Sequence, residues 1–152
     1  MTNGPSTFLV DANVLVYAVD VSEDVKQLRA LKVLTRLGQS GRASLSVQVL
    51  GESYNAMTRR LKPPLSPEDA EAAVLSYSDT WPVHSVTDEA TREAMQISRQ
   101  NQASYWDSLI VAVARLNGVE FLLTEDIQGR PVIAGVTILN PLDPSFDLAL
   151  LD

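Results

Sequence analysis

After its first turn, the segment from Ser104 to Asn117 is apolar on nearly every side, with Leu109, Ile110, Val111, Val113 and Leu116 following one another closely. A helix with a single apolar stripe can lie on a surface, whereas one that is apolar all round belongs in the middle of a protein. Asn117-Gly118 ends the segment. No apolar run in the chain approaches the roughly 18 residues of a membrane helix, so this one is a central core helix. A central helix needs layers to pack against, and short continuous apolar runs supply them. Phe8 to Val10 (entered from Thr7), Phe121 to Thr124 and Val136 to Leu139 read as buried strands. Strands of this kind, separated by helical stretches, indicate an α/β fold with a mostly parallel sheet flanked by helices on both faces. With no linker and no internal repeat, residues 1–152 read as a single domain.

The remaining elements follow from caps and breakers. An apolar helix is expected near Asn13 to Val19. Glu23 to Leu37 is amphipathic, with Leu28, Leu31, Leu34 and Leu37 on one side and Lys26, Arg29, Lys32 and Arg36 on the other. Gly38 and Gly41 are expected to stop it. Arg42 to Leu45 reads as a brief strand. Ser46 caps a helix from Val47 to Leu61, whose expected buried stripe is Leu50, Tyr54, Met57 and Leu61. Pro63-Pro64 ends that helix, and Ser66-Pro67-Glu68-Asp69 opens the next with a capping serine, a proline at the first position and acids in the first turn. Trp81 to Val86 is a connector or short strand, and Thr87 starts a helix reaching about Gln100.

Composition removes several chemistries. There is no cysteine and one histidine, His84, which excludes thiolate metal sites, disulfides and a histidine-rich zinc centre. Met1 to Ser6 shows no basic stretch leading an apolar one, so no signal peptide is expected and a cytoplasmic location follows. The formal net charge of −7 argues against a polyanionic partner, but the charge is unevenly spread. Lys26 to Lys62 holds eight basic residues and one acid, Glu52, while the rest of the chain holds four bases and eighteen acids. The basic segment is expected to form a surface with a partner of its own.

Four acids stand where chemistry can use them. Asp11 follows the strand Phe8-Leu9-Val10, and Asp126 follows Phe121-Leu122-Leu123-Thr124 by two residues. Both lie at carboxyl ends of strands, where open α/β sheets place their ligand crevice. Asp107 sits in the first turn of the buried helix. Glu52 has the helical phase of a solvated face, together with Ala56 and Arg59. Each has a bland reading, Asp11 and Asp107 in helix capping and Asp126 in a turn. Together, carboxylates around one crevice repel one another and call for a hard divalent cation with oxygen ligands, Mg²⁺ with Mn²⁺ able to substitute. Asn13 and Thr124 can add neutral oxygens or orient a water. Such a site suits hydrolysis of phosphodiesters. A phosphoacceptor signalling domain would need a lysine after a late strand, and none follows Lys62; a dehalogenase-type phosphatase would need Asp-x-Asp where Asp11-Ala12-Asn13 stands. His84, Tyr105 and Trp106 read as structural, with core packing preferred to base stacking for the two aromatics.

Phe8-Leu9-Val10-Asp11-Ala12-Asn13-Val14-Leu15 resembles the opening motif of PIN-domain ribonucleases. Ser104-Tyr105-Trp106-Asp107-Ser108-Leu109-Ile110 and Leu122-Leu123-Thr124-Glu125-Asp126 resemble their third and fourth motifs, and Glu52 matches their helical glutamate. The acids are 41, 55 and 19 residues apart, in the family order. The resemblance covers nearly the whole chain and is closest to VapC-type toxins of toxin–antitoxin pairs. It implies a PIN-like nuclease domain and a metal-dependent endoribonuclease of a type II system, a cytoplasmic homodimer blocked by a cognate antitoxin. Asp11, Glu52, Asp107 and Asp126 are its catalytic acids. Asp11, Asp107 and Asp126 hold Mg²⁺ or Mn²⁺, with Glu52 reaching the ion through water and Asp126 favoured over its neighbour Glu125. Arg59 and Arg60 are expected to contact RNA or antitoxin, Arg59 most of all because it shares the face of Glu52. The alternative is a non-catalytic PIN module that binds RNA or protein.

Overall fold

Strand β1 (Phe8–Val10) is buried at all three residues. Successive side chains of a strand point to opposite faces, so both faces of the sheet are covered at its centre. The computed structural model describes residues 7–127 and 129–152; Met1–Ser6, the segment read above for a signal peptide, lies outside the described residues. β1 pairs in parallel with β2 (Ala43–Ser46) on one side and with β4 (Phe121–Leu123) on the other. β3 (Val83–His84) extends the sheet beyond β2, and β6 (Val136–Leu139) extends it beyond β4, both in parallel. The short edge strand β5 (Val132–Ile133) is antiparallel to β6, so the order is β3-β2-β1-β4-β6-β5. The α/β architecture with a mostly parallel sheet is thus the one the apolar runs imply. The chain leaves β1 toward β2 on one side and returns to β4 on the other. That makes the carboxyl ends of β1 and β4 the switch point at which such sheets form their crevice.

Seven further elements surround the sheet: α1 (Ala12–Tyr17), α2 (Asp24–Ser40), α3 (Val47–Arg59), α4 (Pro67–Thr80), α5 (Asp88–Asn101), α6 (Tyr105–Leu116) and a final 3₁₀ turn, Leu148–Leu151. α6 is buried without interruption from Ser108 to Ala114, as its composition requires, and α5 packs along it. The serine and threonine caps stand where they were expected. Ser46, Ser66, Thr87 and Ser104 each accept a hydrogen bond from the backbone N–H three residues on.

Two helix faces differ from the sequence reading. α2 buries Ala30, Val33, Leu34 and Leu37, leaving Leu28 and Leu31 exposed. Leucines every three residues slip about 60° per step round a helix, so four of them cannot share one face. α2 also runs through Gly38 and stops at Gly41, which takes the left-handed φ of 68° that glycine adopts without strain. In α3 the buried row is Val49, Ser53, Ala56 and Met57, while Tyr54 is exposed and Leu50 only half-buried. Small side chains face inward where α1 and α4 pack on α3, which rotates Glu52 from the solvated face to a half-buried rim. β5 had no reading in the sequence. It joins β6 through Ala134-Gly135, both at positive φ, the primed two-residue turn that suits a hairpin.

Three of the four basic residues of α2, and Arg42 after it, are engaged within the chain and do not form the free surface expected of them. The Arg29 guanidinium donates to three backbone carbonyls of the C-terminal segment, Pro141 at 2.9 Å, Asp143 at 3.2 Å and Phe146 at 2.5 Å. Arg36 pairs with Asp152 at 3.0 Å, and Arg42 donates to the Asp152 carbonyl oxygen while lying over the Phe8 ring. Lys26 pairs with Glu125 at 3.0 Å.

Candidate active site

The register of β1 on β4 sets Val10 beside Leu123, and the Asp11 N–H donates to the Leu123 carbonyl at 2.9 Å. Asp11 is therefore delivered next to Thr124 at the switch point. One carboxylate oxygen of Asp11 accepts from the Ala12 N–H at 2.7 Å, starting α1, and the other accepts from the Thr124 hydroxyl at 2.8 Å. Asn13, in the first turn of α1, ties the two loops together. Its amide nitrogen donates to Thr124 Oγ1 at 3.0 Å and to Asp126 Oδ2 at 3.1 Å, and its carbonyl oxygen accepts from the Glu125 N–H at 3.2 Å. Thr124 is buried beneath the site and also accepts from the Asp126 N–H.

These residues open onto a cleft of about 430 Å³. Asp11, Glu52, Asp107 and Asp126 all line it, from the end of β1, α3, α6 and the loop after β4 respectively. A fifth acid that the sequence reading did not single out, Asp20 just after α1, lines it too. So do Asn13, Gln48, Ala56, Arg60 and Trp106. Along α3 the lining follows the i, i+4 row Gln48, Glu52, Ala56, Arg60, which winds slowly round the helix. The cleft thus meets Arg60 and not Arg59, the reverse of the order of preference drawn from phase alone. Glu125 faces away from the cleft, held by the Tyr17 hydroxyl at 3.0 Å and by Lys26, whose ammonium also lies over the Tyr17 ring. Gln48 escaped the sequence reading. Its amide nitrogen donates to Glu52 Oε1 at 2.9 Å and to the Trp106 carbonyl at 3.2 Å, bridging α3 to α6. Its place four residues before Glu52 on one helix was the available signal. Trp106 is not a core residue: its side chain is 62% exposed at the cleft rim. It has the phase of buried Leu109, Ile110 and Val113 but precedes them by a turn, where α6 opens onto the cleft. His84 lies elsewhere, on β3, where burial lowers its pKa.

Burial dominates the electrostatics of Asp11. Loss of water pushes its carboxyl up to about 6, against the lowering pull of the Thr124 and Ala12 hydrogen bonds and with smaller upward contributions from Glu52 and Asp126. A carboxylate that is costly to ionise, in a cleft with four further acids and one arginine, is a group whose charge a cation would stabilise. The donor set of hard oxygens, with neither sulfur nor imidazole, matches Mg²⁺ or Mn²⁺. Among the described residues no three acids converge closely enough to ligate one ion together. The same hard oxygens suit an ion that keeps part of its water shell and meets some of the acids through those waters.

The family model described as the PIN domain matches residues 8–129. A search of curated proteins finds no match. Among solved structures, the chain is similar to a sarcin–ricin-loop-cleaving VapC toxin of Mycobacterium tuberculosis, at 22% identity and a TM-score of 0.57 over 78% of this chain and 89% of that one. It is similar to the DNA-bound VapBC of Salmonella typhimurium at 19% identity and a TM-score of 0.62, covering 90% and 98% of the two chains. A VapBC complex of Rickettsia felis bound to promoter DNA gives 17% and 0.63, covering 88% and 97%. At these identities the likeness is one of fold. The family match spans most of the chain, including every acid that lines the cleft, and the chain belongs to the PIN domain family.

Proposed function

We propose that this chain is a metal-dependent endoribonuclease and the toxin of a type II toxin–antitoxin pair. One observation carries the reading: four acids from four separate elements line a single cleft at the switch point of the sheet. Asp11, Asp107 and Asp126 would hold Mg²⁺ or Mn²⁺, in part through the waters the ion keeps because no three described acids converge on one point, and Glu52 would reach it through water. The bound ion would activate water and stabilise the charge that develops on the phosphate. The chain's own residues prepare that chemistry. The Thr124 hydroxyl and the Ala12 N–H fix the Asp11 carboxylate, and Asn13 sets the distance between Asp11 and Asp126. Arg60, the basic residue of the cleft lining, meets the scissile phosphate. The likeness to a toxin–antitoxin complex and to VapBC complexes supports a protein antitoxin as partner, and a homodimer is part of the same proposal on the sequence resemblance alone. Among the described residues no helix is long and apolar enough to cross a membrane, which is compatible with a cytoplasmic enzyme. A second reading, a non-catalytic PIN module that binds RNA or protein, takes its support from the acids' failure to converge on one point.

Incubation of the purified chain with mixed single-stranded RNA separates the two. Cleavage with Mg²⁺ or Mn²⁺ that is lost in EDTA and in Asp11→Asn is the expected result. Binding without cleavage at any metal concentration would establish the second reading.

A further inference from the structure

The indole of Trp106 is 62% exposed beside Asp107 at the rim of the acid cleft, an expensive place for a large aromatic surface. It is held there. Tyr105 is packed against the core and meets the Trp106 ring edge-on, with centroids 5.0 Å apart and planes at 73°. Gln48 pins the Trp106 backbone carbonyl to α3 at 3.2 Å. The ring is therefore positioned and not left on a loose loop. The cleft itself is a poor binder of polyanions, with five carboxylates and one arginine in its lining. An RNA strand entering it needs contacts that bring no further negative charge to the acids. A stacked base provides such a contact, because every base has an uncharged π-face.

We propose that Trp106 is the nucleobase platform of this site, stacking on a base of single-stranded RNA next to the phosphate held at the acids. The proposal rests on the nuclease reading above and adds a binding subsite to it. Stacking and charge leave different signatures. Loss of a phosphate contact lowers the log–log salt slope by about 0.7 on a single strand. Loss of a stack weakens binding and leaves the slope where it was.

The test is binding of a short mixed-sequence RNA to the full chain carrying Asp107→Asn, which prevents cleavage, with Mg²⁺ present. Trp81 is buried, so quenching of tryptophan emission on RNA addition is expected to come from Trp106. Trp106→Ala should bind roughly five- to 150-fold more weakly with an unchanged salt slope. Trp106→Phe should keep most of the affinity, and an abasic oligonucleotide should not distinguish Trp106→Ala from the parent. Arg60→Ala should instead flatten the slope. Undiminished RNA binding by Trp106→Ala, or a deficit that persists on the abasic strand, overturns the platform. So does a variant that changes the oligomeric state and leaves RNA affinity alone, which would make Trp106 a contact between copies. If the native chain neither binds nor cleaves RNA, the nuclease reading falls and the platform with it. If the native chain cleaves while Trp106→Ala binds normally, the platform alone falls.

Discussion

Asp11 couples the chemistry of the cleft to the stability of the fold. Its carboxyl titrates near 6 in the folded chain, against 3.8 for the ordinary side chain. Between those values the folded chain keeps a proton that the unfolded chain has released, so stability falls as pH rises through this window. The fall is at most about 3 kcal/mol, at 1.36 kcal/mol for each pKa unit. Asp11→Asn keeps a carbonyl oxygen for the Ala12 N–H and carries no charge at any pH. In EDTA it should be more stable than wild type at pH 7, and the difference should vanish near pH 4. His84, whose pKa is lowered by burial, loses stability as pH falls, so the comparison between variant and parent at each pH removes its contribution. Urea titrations across this range make the measurement, and a variant less stable than wild type at pH 7 would contradict it. Adding Mn²⁺ should reverse the order. Wild type gains RT ln(1 + [L]/Kd), about 2.7 kcal/mol at one hundred times Kd, and the variant gains much less.

Secondary-structure elements bring the acids together through a few local contacts. Ser46 ends β2, is fully buried, and caps α3 by accepting from the Val49 N–H at 3.2 Å. Ser46→Ala should therefore cost about 1–2 kcal/mol, read from the shift in denaturation midpoint, and should loosen the helix that presents Gln48 and Glu52. Gly41 marks the other kind of junction. At φ 68° it has open space for a methyl group, so Gly41→Ala meets only backbone strain, and about 1 kcal/mol of destabilisation is expected. By contrast Gly38 lies within α2 with open space around it, and Gly38→Ala should stabilise by roughly 0.5–1 kcal/mol. Thermal melts of the two variants should move in opposite directions. A common direction would mean that α2 ends at Gly38.

Across the whole molecule, four of the eight basic residues between Lys26 and Lys62 are spent on distant parts of the chain, Lys26 on Glu125 and Arg29, Arg36 and Arg42 on the C-terminal segment. Arg29 is central to this. One planar guanidinium reaches the carbonyl of Pro141 from Nε and those of Asp143 and Phe146 from Nη2, a span that the single nitrogen of an ammonium cannot cover. Arg29→Ala should cost about 2–3 kcal/mol and raise amide exchange from residue 141 onward, and Arg29→Lys should recover little of it. The exposed pair of Arg36 and Asp152 should be worth under about 1 kcal/mol when Arg36 is replaced by alanine. If the two replacements have equal effects, the C-terminal segment is held by its apolar contacts alone.

Apolar content and local caps carried most of the fold in the sequence. A helix without a polar side belongs at the centre, and short apolar runs between helices read as strands, of which β1 is covered on both faces while β6 is fully buried only at Val136. Serine or threonine three residues before a free N–H marks a helix start whatever surrounds it. The order and spacing of Asp11, Glu52, Asp107 and Asp126 were likewise legible, because strand ends and helix starts are local events. Rotation of each helix about its axis was not. Which row of α3 faces inward depends on the sizes of the side chains on α1 and α4, so Glu52 looked solvated and Arg59 looked nearer the cleft than Arg60. Trp106 looked like core because periodicity does not tell where a helix leaves the protein behind. Nor could charge density along the chain tell a surface for a partner from a set of internal ties. Arg29 and Arg36 meet their partners more than a hundred residues away, and only the closed tertiary structure brings them within reach.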